Sequence, residues 1–268
     1  MSEPKSLADP AMLIASWNIN SLNVRMGHVL RYLDARRADI VCLQETRLPD
    51  ARFPRSAFAE RGYNVATAST GTYAGVATLS RAPLETLAIG IEGAPEIVTA
   101  TTSRRLLCRV GPWFVDNVYV PTRTKIGKSE FLDALAADHR RRFDERSPVV
   151  LAGDFNICFD ERDYASPRMI TGADVHPNRP EDLAFRRLLA VGLTDCLRAK
   201  HDQRGLYTWF APPAWALRRN YGMRLDYVFA STSATRHLVD VQHDAEPRTW
   251  DRPSDHLPVA ARFRIPAG

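Results

Sequence analysis

Five segments of this chain set an acid, an amide, an imidazole or a phenol at the end of an apolar run. They are Trp17-Asn18-Ile19-Asn20, Leu43-Gln44-Glu45-Thr46, Val118-Tyr119-Val120-Pro121, Gly153-Asp154-Phe155-Asn156 and Ser254-Asp255-His256. A single Asp or Asn after a strand is usually a turn residue, because its side chain caps the turn and bonds nearby backbone. Five such segments carry more weight, since strand ends gather along the rims of sheets. Brought together, Glu45, Asp154, Asp226 and Asp255 make four neighbouring carboxylates. A divalent cation offsets their repulsion, and an all-oxygen donor set suits Mg²⁺, with Mn²⁺ as the second choice.

Strands must carry these groups. Residues 12–17 and 40–43 read as apolar strands, with an amphipathic helix over 24–37 between them. Short runs at 75–79, 84–91, 105–110 and 113–120, punctuated by Gly and Pro, read as a β meander at the edge of a second sheet. A helix is expected over 129–143, with Ser129 as its N-cap and Phe131, Leu132, Leu135 and Ala136 on one face. A strand follows at 149–151 and a helix at 180–190. Strands at 225–230, 238–241 and 258–263 complete the chain. Strands outnumber helices and helices occur in both halves, which favours two sheets packed face to face with helices outside.

The 268 residues fall within the size at which one hydrophobic core stops growing, about 250 to 300 residues, so residues 12–268 read as a single domain. Hydrophobic residues at 45% and charged residues at 25% exclude a disordered, collagen-like or coiled-coil chain. Lys and Arg total 36 against 31 Asp and Glu, a surplus of five that favours a polyanionic partner without requiring one. Of Arg47, Arg104, Arg105 and Arg224, two are expected on the surface. Cys42, Cys108, Cys158 and Cys196 are far apart, with no CxxC pair, and read as buried thiols in a reducing compartment. Residues 1–11 form a polar, flexible segment without the basic start and apolar run of a secretory signal. No stretch approaches the roughly 20 apolar residues of a membrane span. A cytoplasmic, monomeric protein with no membrane partner is the expectation.

The order and wording of seven segments, ASWNINSLNVR, IVCLQETRL, YAGVATLSR, NVYVPT, VVLAGDFNICFDERD, RNYGMRLDYVFAS and RPSDHLPV, closely resemble the exonuclease III and abasic-site endonuclease family. That family lies within the wider endonuclease, exonuclease and phosphatase superfamily. The resemblance runs from about Leu13 to Phe263. It implies an α/β four-layer sandwich of the deoxyribonuclease I kind, two packed mixed β-sheets flanked by helices. It also implies Mg²⁺-dependent phosphodiester hydrolysis on double-stranded DNA at abasic sites or blocked 3′ ends.

By position, the resemblance makes Glu45 the principal metal carboxylate, with Asn18 and Asp255 beside it. Asp154 matches the base for the attacking water and Asn156 its orienting amide. Asp226 and His256 match a buried pair whose imidazole faces the scissile phosphate, and Tyr119 the phenol near the leaving oxygen. These types fit the reaction, because attack on phosphorus builds charge that a Lewis acid and hydrogen-bond donors must stabilise. Trp209, Phe210, Met223 and Leu225 match an apolar pocket for a flipped, base-free sugar. Trp215, Arg218 and Arg219 lie on a basic, aromatic loop suited to a DNA groove. Cys158 reads as packing.

Three departures alter the substrate side. After Tyr119 the chain continues Val120-Pro121-Thr122-Arg123-Thr124-Lys125-Ile126-Gly127, so Arg123 and Lys125 stand as phosphate contacts in place of the usual amide. Asn20 stands where some relatives carry Asp, and Arg47 where a Lys is common, so both count here as substrate-side residues. The leading expectation is incision 5′ to abasic sites with 3′-end trimming or 3′-5′ exonuclease activity. The competing readings are a phosphodiesterase or phosphatase acting on RNA or another phosphate ester, and a catalytically inactive nucleic-acid-binding regulator.

Overall fold

In the computed structural model, which describes residues 11–265 apart from 72, 93–100, 123–126, 170–179 and 213, the chain forms two six-stranded mixed sheets. Along the chain the strands are β1 (Ala11–Asn18), β2 (Ile40–Gln44), β3 (Asn64–Ala68), β4 (Val76–Ser80), β5 (Leu84–Ile89), β6 (Arg105–Val110) and β7 (Trp113–Tyr119). They continue with β8 (Val149–Asp154), β9 (Leu193–Asp195), β10 (Trp209–Phe210), β11 (Gly222–Met223), β12 (Asp226–Ser231), β13 (Leu238–His243) and β14 (Val259–Arg264). One sheet has the order β13-β14-β1-β2-β4-β3, the other β5-β6-β7-β8-β12-β9, and β10 pairs with β11 as a separate ribbon. The helices are α1 (Leu22–Arg36), α2 (Arg55–Ala59), α3 (Lys128–Arg142), α4 (Pro180–Leu189), α5 (Ala214–Arg218) and α6 (Thr232–Thr235).

The side-chain alternation of β1 explains the layering. Met12 and Ile14 point into the space between the sheets, where Val115, Val150, Ala152 and Val228 of the second sheet meet them. Leu13, Ala15 and Trp17 point the other way and pack under Val29, Tyr32 and Leu33 of α1. On the far side, Phe131, Leu132 and Leu135 of α3 and Phe185 and Leu188 of α4 cover Val118, Leu151, Tyr227 and Phe229. Helix, sheet, sheet and helix therefore give the four layers that the resemblance implies.

Two local expectations change. The run at 75–79 is not part of a meander with its successors: it becomes β4, between β2 and β3 in the first sheet, while β5, β6 and β7 form one side of the second. Register rather than sequence order decides this, because β4 pairs along its full length with both neighbours. Helix α3 begins one residue earlier than expected, at Lys128, with Gly127 at the N-cap and no side-chain cap bond, so Ser129 lies inside the first turn.

The arginines also differ from expectation. Only Arg47 of the four is open to solvent, its side chain 44% exposed. Arg104, Arg105 and Arg224 are all buried. Arg105 donates from Nε and Nη2 to Asp116 at 2.9–3.1 Å and from Nη1 to Asp138 at 2.7 Å, and His139 Nε2 lies 2.8 Å from Asp116. This cluster ties β6, β7 and α3 together in the interior.

Burial alone would raise the Asp116 carboxyl, but the Arg105 charge and the His139 bond hold it well below the ordinary carboxylate range. A depressed folded-state value stabilises the fold above the unfolded value of about 3.9 and loses that contribution as pH falls. Asp116→Asn is expected to cost about 3 kcal/mol at neutral pH, because it leaves Arg105 under-compensated in the interior. Urea denaturation of both proteins at a series of pH values checks this: the gap in midpoint narrows as the solution is acidified below about pH 4. A gap that is independent of pH would show that charge pairing is not its source.

Candidate active site

The chemistry collects at one end of both sheets. Strands β1 and β2 run parallel, and so do β7 and β8, so Asn18, Gln44, Tyr119 and Asp154 finish at the same end. Strand β12 is antiparallel to β8 and starts there with Asp226 opposite Asp154. Strand β14 is antiparallel to β1, which brings the preceding Ser254-Asp255-His256 to the same rim. Trp209 bridges to His256 and closes the group. Gly153, opposite Val118 in the register, has φ +158 and no room for a Cβ, which would run into the Val118 carbonyl. The absence of a side chain there lets β7 and β8 carry Tyr119 and Asp154 side by side.

The loops that follow are held in an uncommon backbone state. Asn20 (φ 44), Glu45 (φ 52) and Asn156 (φ 52) all occupy the left-handed region, which costs a non-glycine residue of order 1–3 kcal/mol. Hydrogen bonds compensate. Ser21 N donates to Glu45 O at 2.8 Å, Thr46 N to Gly75 O at 3.0 Å and Arg47 N to Ala74 O at 2.9 Å.

His256 is the hub of the side-chain network. Its Nδ1 lies 2.8 Å from Asp226 Oδ2 and its Nε2 lies 3.8 Å from Asp154 Oδ2. Burial disfavours a charged ring, but the charges of Asp226 and Asp154 reverse that and push its pKa up to about 10, so the imidazolium persists at neutral pH. Asp154 is pushed up to about 7, mainly by burial. The charge of His256 opposes that rise and the charge of Asp226 adds to it. Asn156 N donates to Asp154 Oδ1 at 2.9 Å, and Thr208 Oγ1 accepts from Leu225 N and Asp226 N at 3.0 and 3.1 Å. Ser254 Oγ donates to Asn18 O at 2.6 Å, and Trp17 Nε1 donates to His256 O at 3.2 Å.

Asn18 Nδ2 donates to both Glu45 Oε1 and Asp154 Oδ2 at 2.9 Å, while its Oδ1 accepts from Asn20 N. It thus holds two carboxylates in place. Glu45 stays ionised despite burial, because the bond from Asn18 and the charge of Arg47 lower its pKa. Arg47 Nε donates to Glu45 Oε2 at 3.0 Å. Asp255 accepts from Asn20 Nδ2 and Trp209 Nε1, each at 2.9 Å. The Tyr119 phenol faces Glu45, and burial with the nearby Glu45 and Asp154 charges keeps it protonated, hence a donor. Arg104 stacks its guanidinium 4.7 Å from the centre of the Tyr119 ring.

The ligand-type atoms of Asp154, Asp226 and His256 lie within 4.8 Å of one another, but a protonated ring offers no lone pair, so in this grouping only the carboxylates are open to a cation. Asp226 Oδ1 is buried without a hydrogen-bond partner, as expected of an oxygen that serves a cation or a substrate. With Glu45 and Asp255 at the same rim, the donor set is hard and oxygen-rich, and it fits a divalent cation of the Mg²⁺ type.

Beside Asp226 lies an apolar cluster of Cys158 and Leu225 with half-buried Tyr164, Trp209 and Met223. Phe210 is not in it. Strand alternation turns Phe210 away from Trp209 into a separate cluster with Tyr207, Ala216 and Leu257, where it is 2% exposed. Arg123 and Lys125 lie outside the described residues. Trp215 on α5 is 44% exposed, with Arg219 near its ring. Sequence reasoning gave no role to Ser254 and Asp163, although both lie in quoted segments, and missed Thr208 and Tyr164. The only signal for the last two was adjacency, Thr208 to Trp209 and Tyr164 to the DERD that ends a quoted segment. A separate concavity lined by His139, Phe143, Val191 and Ser231 sits where β8 begins at Val149, the end opposite Asp154. The depth of a hollow is therefore not what marks the chemistry.

A model described as the endonuclease/exonuclease/phosphatase family matches residues 15–256, ending on His256 itself. The chain belongs to that family. The exodeoxyribonuclease of Bacillus subtilis is 29% identical over 263 residues, spanning 95% of this chain and all of the relative. A solved AP endonuclease from Archaeoglobus fulgidus superposes with a TM-score of 0.88 at 29% identity, covering 95% of this chain and all of that one. A 3′ phosphatase from Neisseria, solved with a product DNA hairpin, superposes with a TM-score of 0.85 at 32% identity and the same coverage. Within this family frame, every residue of the network falls inside the matched span.

Asp226 and His256 share one hydrogen bond, and a pair that works as one unit is non-additive. Asp226→Asn and His256→Ala are each expected to lower kcat by about 10²-fold or more, with the double variant little worse than the poorer single one. Single-turnover rates for the four proteins check this. Losses that multiply would break the pair apart.

Proposed function

We infer that the protein is a DNA repair nuclease of the exodeoxyribonuclease III and AP endonuclease type, and that it hydrolyses the phosphodiester 5′ to an abasic site and trims 3′ ends. The observation that carries this reading is a buried histidine held between two buried carboxylates, directly beside an apolar cluster of Cys158, Leu225, Tyr164, Trp209 and Met223. By its relatives the chain is a hydrolase of the DNA nuclease kind, and the site is consistent with that chemistry. Its net charge of +5 suits a polyanion, and the Neisseria relative was solved on DNA.

Asp154, with a pKa near 7, is matched to taking a proton from water at neutral pH. Asn156, anchored to Val120 O at 3.0 Å, holds that water or the phosphate in line. His256 presents its second nitrogen as a charged donor to a phosphoryl oxygen, with Asp226 fixing the ring. Tyr119, kept neutral, donates to the leaving oxygen. Glu45, with Asp255 and Asn18 beside it, would hold Mg²⁺, which supplies Lewis-acid stabilisation when bound. Trp209, Met223 and Leu225 admit a base-free sugar and exclude a base by size. The same cluster disfavours a phosphatase acting on lipid or inositol, and the complete set of ionisable groups disfavours an inactive regulator.

An end-labelled duplex carrying one tetrahydrofuran abasic analogue tests the reading directly. Cleavage 5′ to the analogue, leaving a 3′-hydroxyl, is expected with Mg²⁺ and not with EDTA. Cleavage unaffected by EDTA, or none on abasic and 3′-recessed duplexes alike, would overturn it. In the same assay Glu45→Ala is expected to raise the Mg²⁺ midpoint by about tenfold or more, with partial rescue at high Mg²⁺, because the site loses a ligand charge. An unchanged midpoint would move the cation elsewhere.

A further inference from the structure

We propose that Tyr164 is a specificity-determining residue for this reaction, the fourth wall of the apolar site beside Asp226 and its hydrogen-bonding group for the sugar. This rests on the reading given above. Tyr164 is half-buried against Cys158, Leu225, Trp209 and Met223, so it shares the surface that Trp209 and Met223 present. It forms an isolated antiparallel bridge with Met223, and Ala165 N donates to Gly222 O at 3.0 Å. The segment around Tyr164 therefore acts as a third strand on the β10–β11 ribbon. Among the described residues its hydroxyl has no hydrogen-bond partner. A phenol on an otherwise apolar surface, with one face covered and its hydroxyl uncommitted, is a group suited to a ligand that is apolar in bulk and polar at its edge. A deoxyribose fits that description.

The wall is fixed from behind. The preceding residue, Asp163, is fully buried and accepts from Arg224 Nε at 2.8 Å and Nη2 at 3.0 Å, and from Arg198 Nη2 at 2.6 Å. Arg224 N also donates to Asp163 O at 2.7 Å, and Asp163 closes a capping box with Asp160. Arg224 in turn directly precedes Leu225 and Asp226. One buried guanidinium thus fixes Tyr164 on one side and the Leu225 wall and the catalytic aspartate on the other. A wall held this firmly discriminates by size, because it does not retreat to admit a base.

The test compares wild type, Tyr164→Ala and Tyr164→Phe on two duplexes at fixed salt and Mg²⁺: one with an abasic site, one with an undamaged 3′-recessed end. Tyr164→Ala should lower the ratio of abasic cleavage to removal of a normal 3′ nucleotide by about tenfold, the scale of one aromatic contact to a nucleotide. Tyr164→Phe keeps the wall and should raise KM for the abasic duplex by about threefold, the scale of one neutral hydrogen bond, with kcat unchanged. A folded Tyr164→Ala protein with the wild-type ratio, or a Tyr164→Phe protein with the wild-type KM, overturns the proposal. If Tyr164→Ala does not fold, the Tyr164→Phe result alone decides. Wild type that cleaves neither duplex brings down the nuclease reading and this proposal with it, whereas wild type active on both leaves the variants as a test of Tyr164 alone.

Discussion

His256 keeps a positive charge between Asp226 and Asp154 in a setting where burial alone would strip it, and the surrounding structure answers to that requirement. An ionic triad removed from water is stable only if its remaining lone pairs and protons are satisfied. The groups that hold it come from distant parts of the chain: Asn18 from β1 and Asn156 from the turn after β8 donate to Asp154, and Thr208 from the segment before β10 accepts from the Asp226 backbone N–H. A shift of β1 or of the turn after β8 would take a hydrogen bond from Asp154. The side-chain network around His256 and the junction of the two sheets are, in this sense, the same set of contacts.

Much of this was legible in the sequence, for definite physical reasons. The near-continuous apolar run from Met12 to Trp17 fits a strand buried on both faces, and both faces are covered. The segments that end in Asn18, Glu45, Asp154 and His256 could be placed together because strand ends gather along the rims of sheets; parallel pairing brings the first three to one rim, and the antiparallel start of β14 adds His256. Phe210 was misplaced because adjacent residues of a strand face opposite ways, and the sequence does not say which of Trp209 and Phe210 turns to the site. Asp163 and Tyr164 were given no role, since their partners, Arg224 and Met223, lie about 60 residues away. Only register reveals such a pairing. The change in β4 has the same origin: sequence neighbours suggested a meander, and hydrogen bonding assigned it to the other sheet.

Charge in this molecule divides into two populations. Arg31, Arg61, Arg109 and Arg187 make exposed ion pairs that contribute little to stability. Arg105 and Arg224 are interior, each with two carboxylate partners. Arg104 belongs to neither group, since its guanidinium lies over the Tyr119 ring and, among the described residues, its side chain makes one long hydrogen bond, 3.5 Å, to Tyr119 O. A modest overall surplus of five therefore conceals a strongly uneven use of arginine.

The burial of Arg105 with Asp116 and Asp138 also separates two responses to ionic strength. Counterions weaken contacts between exposed cations and a phosphate backbone steeply, but they do not reach a pair sealed from solvent. Added salt can therefore release a polyanion from the surface of this protein while the interior charges go on holding β6, β7 and α3 together. Grip on the ligand and integrity of the fold become separately adjustable quantities, one set by the medium and the other by the chain.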